Sequence, residues 1–332
     1  MTVTVHTASG IYDVIAEPGA AKTPERYFSL DRRVLVVTDR GVPKAYAARV
    51  AATCRAPVVV TVPRGERSKC VGIWKDLQRA MLRAGFTRSD CVVAVGGGVV
   101  GDLAGFAAAT YMRGIDFYNI PTTLLAAVDA SVGGKTAIDL GGVKNPVGAF
   151  WPPKKVIVDA GLLNTLPPRE IAAGMAESIK MAVALDADFF AALEGGTVPL
   201  ADVIERSVLL KQRVVEEDER EAELRRVLNF GHTLGHGIEA RGGRLHGECV
   251  ALGMIPMCEG ETRERLVRVL EKYGLPTSCR VRADAVMRAV LHDKKRNEDG
   301  TVTVVTVPEI GKFAFADVTP DELRARLAVI NR

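Results

Sequence analysis

The regular alternation of short β-branched runs with helical stretches in the first half of the chain places the strongest limit on its fold. The runs span residues 32–39, 56–62, 90–98, 116–123 and 154–160. This spacing is typical of a parallel sheet, because parallel neighbours need a crossover connection between them. Several runs are apolar at consecutive positions, so those strands need helices on both faces. The first half is therefore predicted to form an α/β domain.

Beyond Pro167 and Pro168 the pattern changes to long helical segments. These segments span residues 169–184, 201–223, 224–240 and 247–274, and a short β stretch at 300–318 follows them. A chain of 332 residues also exceeds the size at which single cores usually stop growing. We therefore predict an α/β domain over residues 1–155 and a mainly helical domain over residues 156–332, in which the β stretch forms a hairpin.

Composition and charge argue against several functional classes. The net charge of +4 is small and the Lys and Arg residues are scattered among acids, so nucleic-acid binding is not expected. No run of about 18 apolar residues is present, so no membrane span is expected either. The six cysteines lie far apart without a CxxC pair or a secretory signal, which predicts reduced thiols in the cytoplasm.

A glycine-rich turn, GGGVVGD at residues 96–102, follows the strand that ends at Val95. Glycines allow close backbone approach, and the N-terminus of the next helix offers free N–H groups to a pyrophosphate. A dinucleotide is the candidate ligand, although the spacing is not GxGxxG and a purely structural turn is the alternative. Asp39 ends another strand, where an acid often binds a ribose hydroxyl. Glu66 and Lys69 also follow a strand, and a solvated helix start is their alternative interpretation.

Three of the five histidines fall within one short stretch, NFGHTLGHGIEARGGRLH. His232 and His236 are four residues apart and share a helix face, and His246 opens the next helix. Glu177, on a different helix with Lys180 one turn later, is a further candidate ligand. Imidazole and carboxylate ligands favour zinc in a catalytic site, while isolated core or surface histidines are the alternative. The motif lacks the glutamate of HExxH, which argues against a metalloprotease.

A set of basic and polar side chains is the third candidate feature. It comprises Arg113, Asp129, Lys135, Lys144 and Asn145 in the middle of the chain, and Lys211, Arg225, Asn229 and Lys294 downstream. Two glycine pairs, at 133–134 and 141–142, suggest backbone that bends around a ligand. Clustered Arg and Lys side chains suit a phosphate and a carboxylate. For Lys211 alone, an exposed face of an amphipathic helix is an equal alternative.

Together these motifs closely resemble the 3-dehydroquinate synthases, which belong to the sugar-phosphate cyclases. The matching strings are GGGVVGDLAGFAAATYMRG, IPTTLLAAVDASVGGKTAIDL, KNPVGAF, GMAESIK, DEREAELRRVLNFGHTLGHGIEA, HGECVALGM and HDKK. They extend from about residue 60 to residue 300 in the order of the family. The resemblance implies a Rossmann-like NAD domain, a helical metal-binding domain and an active site in the cleft between them.

Roles for individual residues follow from this resemblance by motif position. It implies Glu177, His232 and His246 as zinc ligands, with cobalt as the alternative metal. The implied catalytic residues are His236, Lys135, Asp129, Lys180 and Asn145, and the implied substrate-binding residues are Arg113, Lys144, Lys211, Arg225, Asn229 and Lys294. The implied NAD-binding residues are Asp39, Glu66, Lys69, Gly97, Gly98, Asp102, Thr122 and Thr123. Gly41 departs from the family, in which many members carry a polar residue near the cofactor ribose.

The implied activity is a carbon–oxygen lyase reaction of the shikimate pathway of aromatic amino-acid biosynthesis. The family converts 3-deoxy-D-arabino-heptulosonate 7-phosphate to 3-dehydroquinate and phosphate through transient oxidation by NAD, elimination, reduction and aldol closure. The resemblance also suggests a homodimer. Alternatives are a cyclase for another sugar phosphate, such as an aminodehydroquinate, 2-deoxy-scyllo-inosose or valiolone synthase, and a metal-dependent polyol or glycerol-phosphate dehydrogenase. Arg113, Lys211 and Asn229 favour the carboxylated heptulosonate.

Overall fold

A computed structural model of the chain describes residues 1–292 and 297–331. Two compact units divide the chain, Met1–Leu166 and Pro167–Arg332. Sequence analysis placed the domain boundary after residue 155. The strand Lys155–Val158 spans that point and belongs to the sheet of the first unit.

The first unit, whose residues are all described, is built on a seven-stranded sheet. The strands of this sheet are β1 (Thr2–Thr7), β2 (Gly10–Ala16), β3 (Arg33–Asp39), β4 (Ala56–Val62), β5 (Cys91–Gly96), β6 (Asp116–Pro121) and β9 (Lys155–Val158). Two further strands, β7 (Lys135–Leu140) and β8 (Val143–Phe150), form a separate hairpin. The order in the sheet is β1-β2-β9-β6-β5-β3-β4. Only β1 and β2 pair antiparallel within this sheet, so the predicted parallel α/β fold is confirmed.

Helices cover both faces of the sheet, as the continuous apolar runs predict. These are α1 (Lys44–Ala52), α2 (Val71–Arg83) and α3 (Gly98–Thr110). Because side chains alternate along a strand, Leu35 of β3 packs in one core with Leu103 of α3. Val36, the next residue along β3, points to the opposite face of the sheet and packs in a second core with Val50 of α1. Strand β3 is therefore buried on both faces.

The sequence analysis did not predict strands β7 and β8, although it did predict bends at the two glycine pairs. Gly141 and Gly142 connect the two strands with φ values of 61° and 80°. A two-residue hairpin turn with both central residues at positive φ matches the twist of its strands, and glycine adopts it without strain. The second glycine pair, Gly133 and Gly134, also has positive φ and precedes β7.

The second unit is mainly helical, as predicted. Its elements are α4 (Pro168–Leu185), α5 (Ala187–Gly195), α6 (Leu200–Glu217), α7 (His232–Glu239), α8 (His246–Met254), α9 (Gly260–Lys272), α10 (Ala283–His292), β10 (Val302–Glu309), β11 (Lys312–Val318) and α11 (Pro320–Arg326). The strands β10 and β11 pair antiparallel, so the predicted hairpin is confirmed. Along the described parts of the chain, no helix is both long and apolar enough to cross a bilayer.

Three predicted helical segments are shorter or interrupted in the structure. The helix predicted over 201–223 ends at Glu217, because the Asp218 carboxylate then accepts hydrogen bonds from the backbone N–H groups of Ala222, Glu223 and Arg225. The helix predicted over 224–240 is a 3₁₀ helix over Leu224–Asn229 followed by α7, since Gly231 intervenes with a φ of 78°. The segment predicted over 247–274 is interrupted between α8 and α9 at Ile255–Met257, which includes a proline.

Candidate functional site

Four candidate ligands converge in the helical unit. Glu177 comes from α4, His232 and His236 from α7, and His246 is the first residue of α8. The Glu177 Oε1 atom lies 3.3 Å from His246 Nε2 and 3.8 Å from His232 Nε2. One ring nitrogen from each of the three histidines lies within 4.8 Å of the other two. The predicted histidine cluster is therefore a cluster in space, and Glu177 joins it from a distant part of the sequence.

Glycines on α8 allow the helices that carry these residues to approach closely. A Cβ atom on Gly247 would lie 1.9 Å from the carbonyl oxygen of Ala173 on α4. On the same helix, a Cβ atom on Gly253 would lie 1.9 Å from the carbonyl oxygen of Gly231, at the start of α7. Real Cβ contacts are never this short, so only glycine permits the packing. This packing brings His246 to the side chains of α4 and α7.

Glu177 is a buried, ionised carboxylate. Its side chain is 0% exposed, and the Nζ atom of Lys180, itself 2% exposed, lies 2.6 Å from its Oε2 atom. Burial raises the pKa of Glu177, but the Lys180 charge, with smaller contributions from His246 and His232, holds that pKa well below its usual range. Among the described residues, neither carboxylate oxygen has a hydrogen-bond donor in standard geometry. The Oε1 atom, which faces the imidazoles and not Lys180, is suited to a ligand, because a buried polar atom is costly unless it is satisfied.

The two imidazoles beside Glu177 differ in protonation. Burial, together with the Lys180 charge, holds the pKa of His232 well below its usual value, so this ring is neutral. Burial also lowers the pKa of His246, but its contacts with the carboxylates of Glu177 and Glu239 raise it to about 9. An ionised carboxylate beside imidazole nitrogens is the donor set of a catalytic divalent-metal site. The residues present therefore fit such a metal.

Two predicted substrate-binding cations of this unit are buried. Lys211 of α6 is 5% exposed, which excludes the interpretation of an exposed helix face. Its helix packs on α4, where Ser207 and Ser178 share a 2.9 Å hydrogen bond. Arg225 is also buried, and its guanidinium donates to the carbonyl of Glu219.

The 3₁₀ segment before α7 carries both Arg225 and Asn229. The Asn229 side chain is partly buried, and its amide donates to the Glu221 carboxylate. Glu221 itself has a φ of 63°, within the turn that Asp218 closes. The turn closed by Asp218 therefore leads into the segment that carries two predicted substrate-binding residues, just before His232 in the chain.

In the α/β unit, the glycine-rich turn lies at the carboxyl edge of the sheet. Gly97 precedes α3, and a Cβ atom there would lie 3.0 Å from the side chain of Thr123. The N–H of Thr122 donates to the carbonyl of Gly96 at 2.9 Å, because β5 and β6 are parallel neighbours. Asp39 ends β3, which pairs with β5 on its other side. The strand ends thus bring Asp39, the glycine turn and both threonines to one edge.

Lys69 and Asp102 form a second group in this unit. The Lys69 Nζ atom lies 2.7 Å from Asp102 Oδ2 and 3.4 Å from Glu66 Oε1. Burial lowers the pKa of Lys69, but these two carboxylates raise it above its usual value. Lys69 is 4% exposed, so it does not belong to a solvated helix start.

The hairpin presents Lys135, Lys144 and Asn145 on the surface of the same unit. Asp139 of β7 was not singled out from the sequence, yet its N–H donates to the Lys69 carbonyl at 2.7 Å. Its side-chain Oδ1 also accepts from the N–H of Asn145 at 2.9 Å. No local sequence signal identifies this residue, because the contact depends on how the hairpin folds beside Lys69.

The remaining predicted residues have separate positions. Arg113 is exposed with a φ of 71°, an unusual conformation for a side-chain-bearing residue. Asp129 lies in a π-helical turn over Ala126–Ala130. Lys294 lies outside the described residues. Gly41 donates its N–H to Asp39 at 2.6 Å, and a Cβ atom there would meet Arg64 at 2.8 Å, so a side chain at this position would require Arg64 to move.

Comparison with known proteins covers nearly the whole chain. The N-terminal family profile of 3-dehydroquinate synthase matches residues 59–173, and the C-terminal profile matches residues 174–296. The 3-dehydroquinate synthase of Pelobacter propionicus is 40% identical over 97% of this chain and 97% of its own.

Two solved structures of related cyclases have the same fold. A 2-deoxy-scyllo-inosose synthase complexed with carbaglucose-6-phosphate, NAD⁺ and Co²⁺ has a TM-score of 0.89 at 27% identity, covering 98% of this chain and 99% of its own. The 2-epi-5-epi-valiolone synthase of Streptomyces hygroscopicus, with NAD⁺ and Zn²⁺ bound, has a TM-score of 0.88 at 28% identity, covering 99% and 98%. With both family profiles matched in order and a 40% identical relative of full length, the chain belongs to the 3-dehydroquinate synthase family.

Proposed function

We propose that the chain converts 3-deoxy-D-arabino-heptulosonate 7-phosphate to 3-dehydroquinate and phosphate. The observation that carries the proposal is the buried, ionised Glu177 beside the imidazoles of His232 and His246, in a chain that is 40% identical to a 3-dehydroquinate synthase. This site has the donor set for a metal that polarises substrate oxygens. The relatives give the reaction in which that chemistry is used.

We propose that Glu177, His232 and His246 hold zinc, with cobalt as an alternative. When bound, the ion would polarise the C4 and C5 oxygens of the substrate. His236 shares the cluster, since its ring centroid lies 5.2 Å from that of His232 and 5.8 Å from that of His246. We assign His236 to the substrate and its phosphate, where it would assist removal of the proton beside the transient ketone.

For NAD, we propose the carboxyl edge of the sheet in the α/β unit. Gly97 and Gly98 would let the pyrophosphate approach the N-terminus of α3. Asp39 would accept a hydrogen bond from a ribose hydroxyl. The other proposed contacts are Glu66, Lys69, Asp102, Thr122 and Thr123. Bound NAD would accept a hydride from C5 and return it, so the reaction involves no net oxidation.

Anionic groups of the substrate need cations, and each unit supplies some. In the helical unit, Lys211 and Arg225 are buried cations, which bind an anion more strongly than exposed ones do. We propose that they bind the substrate together with Asn229, Lys294, Arg113 and Lys144. The proposed catalytic set comprises His236 and Lys180 of the helical unit and Lys135, Asp129 and Asn145 of the α/β unit.

The test is an assay of the purified protein with the heptulosonate phosphate, NAD and zinc. We expect release of phosphate and formation of dehydroquinate without accumulation of NADH. Accumulating NADH would instead indicate a dehydrogenase, and turnover of a sugar phosphate without a carboxylate would indicate another cyclase. Removal of the metal by a chelator should abolish activity, and added zinc should restore it.

We also propose that the chain forms a homodimer and acts in the cytoplasm. All six cysteines lie within the described residues and are free thiols, which supports a reducing compartment. Light scattering coupled to size-exclusion chromatography tests the dimer, which predicts twice the chain mass of 35.6 kDa. A mass equal to that of one chain would contradict it.

A further inference from the structure

Both ring nitrogens of His246 contact a carboxylate. Its Nε2 atom lies 3.3 Å from Glu177 Oε1, and its Nδ1 atom lies 3.2 Å from Glu239 Oε2. Glu239 is the last residue of α7, the helix that carries His232 and His236. Its side chain is 14% exposed, so the contact is largely removed from water. The Glu239 carboxylate therefore connects the end of α7 to the first residue of α8.

The Nδ1 contact has a chemical consequence for a metal ligand. To bind a metal, the His246 ring must lose one proton, and the carboxylate at Nδ1 favours the neutral tautomer that keeps its N–H on that nitrogen. The lone pair is then on Nε2, the nitrogen that faces the oxygen of Glu177. Such an outer partner also fixes the rotation of the ring and makes it a stronger ligand.

His232 has the same arrangement with a different partner. Its Nδ1 atom lies 3.2 Å from the backbone carbonyl oxygen of Phe230, and its Nε2 atom faces Glu177 Oε1 at 3.8 Å. Both imidazoles in the proposed ligand set thus present Nε2 to the same carboxylate oxygen. The partner of His232 belongs to the backbone, whereas the partner of His246 is a side chain that can be replaced.

We propose that Glu239 is a positioning residue for metal binding, which accepts the Nδ1–H of His246 and directs Nε2 toward the ion. This proposal rests on the metal site of the proposed function and adds a residue outside its ligand set. Glu239 itself would not contact the ion. Its replacement should weaken metal binding while the fold is preserved.

A merely structural role for Glu239 is the competing explanation, because its carboxylate also links two helices. Glu248 provides a matched control near the same helix start. It accepts a 2.9 Å hydrogen bond from the Leu245 N–H and pairs with Arg169, and it contacts no imidazole in the described structure. Weakening the Arg169 pair at the start of α8 through Glu248→Gln should therefore leave the affinity for zinc close to that of the parent protein.

The experiment measures zinc affinity by chelator competition in the metal-free full-length protein, with thermal unfolding of each apoprotein. We expect Glu239→Ala to weaken zinc binding about 10- to 100-fold, as loss of an outer partner of a metal-bound histidine does. Glu239→Gln should lie between this variant and the parent, because its amide oxygen still accepts a hydrogen bond. The absorption spectrum of the Co²⁺ form should change in Glu239→Ala and not in Glu248→Gln.

Two results would overturn the proposal. One is a parent-like zinc affinity and Co²⁺ spectrum in Glu239→Ala. The other is an equal loss of affinity in Glu239→Ala and Glu248→Gln that follows a loss of thermal stability. If the parent protein itself fails to bind zinc or cobalt, the proposed metal site is wrong. Failure of the positioning role alone leaves the metal binding of the parent protein intact.

Discussion

The carboxylate–imidazole cluster of the helical unit and the β7–β8 hairpin of the α/β unit present functional side chains in opposite ways. Glu177 and Lys180 are almost completely buried between helices. Lys135, Lys144 and Asn145 are exposed on a hairpin whose glycine turn has nothing within 4 Å of a Cβ at either position. The cluster is held in place by packing before any ligand binds. The side chains of the hairpin depend far less on the core.

This difference separates stability from function. A buried charge that loses its partner destabilises the fold, whereas an exposed lysine can be removed at little cost in stability. Substitutions in the cluster should therefore change both the free energy of unfolding and activity. Substitutions of the exposed lysine side chains on the hairpin should change activity alone.

The largest effect is expected for Glu177→Ala, measured by urea unfolding of the chelated protein. The substitution leaves the Lys180 ammonium, 2% exposed, without its partner at 2.6 Å. We expect a loss of about 3–5 kcal/mol in the free energy of unfolding. The double variant Glu177→Ala/Lys180→Met, which removes both charges, should recover part of this loss. A loss below about 1 kcal/mol in the single variant would show that the pair is not buried in solution.

The second prediction compares the loss of stability caused by alanine at one glycine beside the cluster and at one glycine in the hairpin. Alanine at Gly253 would place a Cβ atom 1.9 Å from the backbone oxygen of Gly231, so the helices must separate. We expect Gly253→Ala to lower the free energy of unfolding by about 1–3 kcal/mol or more through overpacking. Gly141→Ala in the hairpin meets no neighbour within 4 Å and suffers only from its φ of 61°, at about 1 kcal/mol. Equal losses in the free energy of unfolding of the two variants would contradict the claim that the cluster is more tightly packed than the hairpin turn.

Local sequence patterns predicted much of the fold and the composition of the site. The continuous apolar runs identify strands such as β3 because burial on both faces requires them. The glycine-rich turn and the histidine spacing are local as well, so they are visible without knowledge of the tertiary fold. The predicted α/β and helical organisation and the family resemblance are both confirmed.

Features that depend on tertiary contacts could not be predicted. The run of helix-forming residues continues past Glu217, and the hydrogen bonds that end the helix exist only once the loop folds three backbone N–H groups around the Asp218 carboxylate. Glu239 lies seven residues before His246, and their contact arises only because glycines bring α8 against α7. The hydrogen bond from the Asp139 N–H to the Lys69 carbonyl likewise forms only because the hairpin folds beside Lys69. These residues support the site, and their roles depend on packing.

The third prediction concerns the turn closed by the Asp218 carboxylate, which leads into the segment that carries Arg225 and Asn229. Burial raises the pKa of Asp218, but the hydrogen bonds from Ala222, Glu223 and Arg225 lower it below its usual value. A lowered folded-state pKa stabilises the protein above the unfolded-state pKa of about 3.9, and this stability is lost as pH falls through the folded-state pKa. Asp218→Asn should therefore cost roughly 1 kcal/mol at pH 7, a value kept low because the carboxylate is partly exposed.

The measurement for Asp218→Asn is urea unfolding as a function of pH. The difference from the parent protein should shrink as pH falls below about 4, because the unfolded-state carboxylate becomes protonated there and the folded-state carboxylate follows at lower pH. A difference that stays constant down to pH 2 would mean that the charge of Asp218 contributes nothing. Glu309→Gln, which removes an exposed carboxylate of the β10–β11 hairpin, is the control.

The smallest stability effect, and the one that defines the hairpin side of the comparison, is expected for Lys144→Ala. Its side chain is exposed, so the free energy of unfolding should change by less than about 0.5 kcal/mol. If Lys144 binds an anionic group of the substrate, KM should rise about tenfold, since a charge-assisted hydrogen bond contributes roughly 1.5 kcal/mol. Lys154→Ala, which removes another exposed lysine of the same unit, should change neither quantity. A stability loss in Lys144→Ala comparable to that of Gly253→Ala would mean that the hairpin, like the cluster, depends on its charged side chains for its structure.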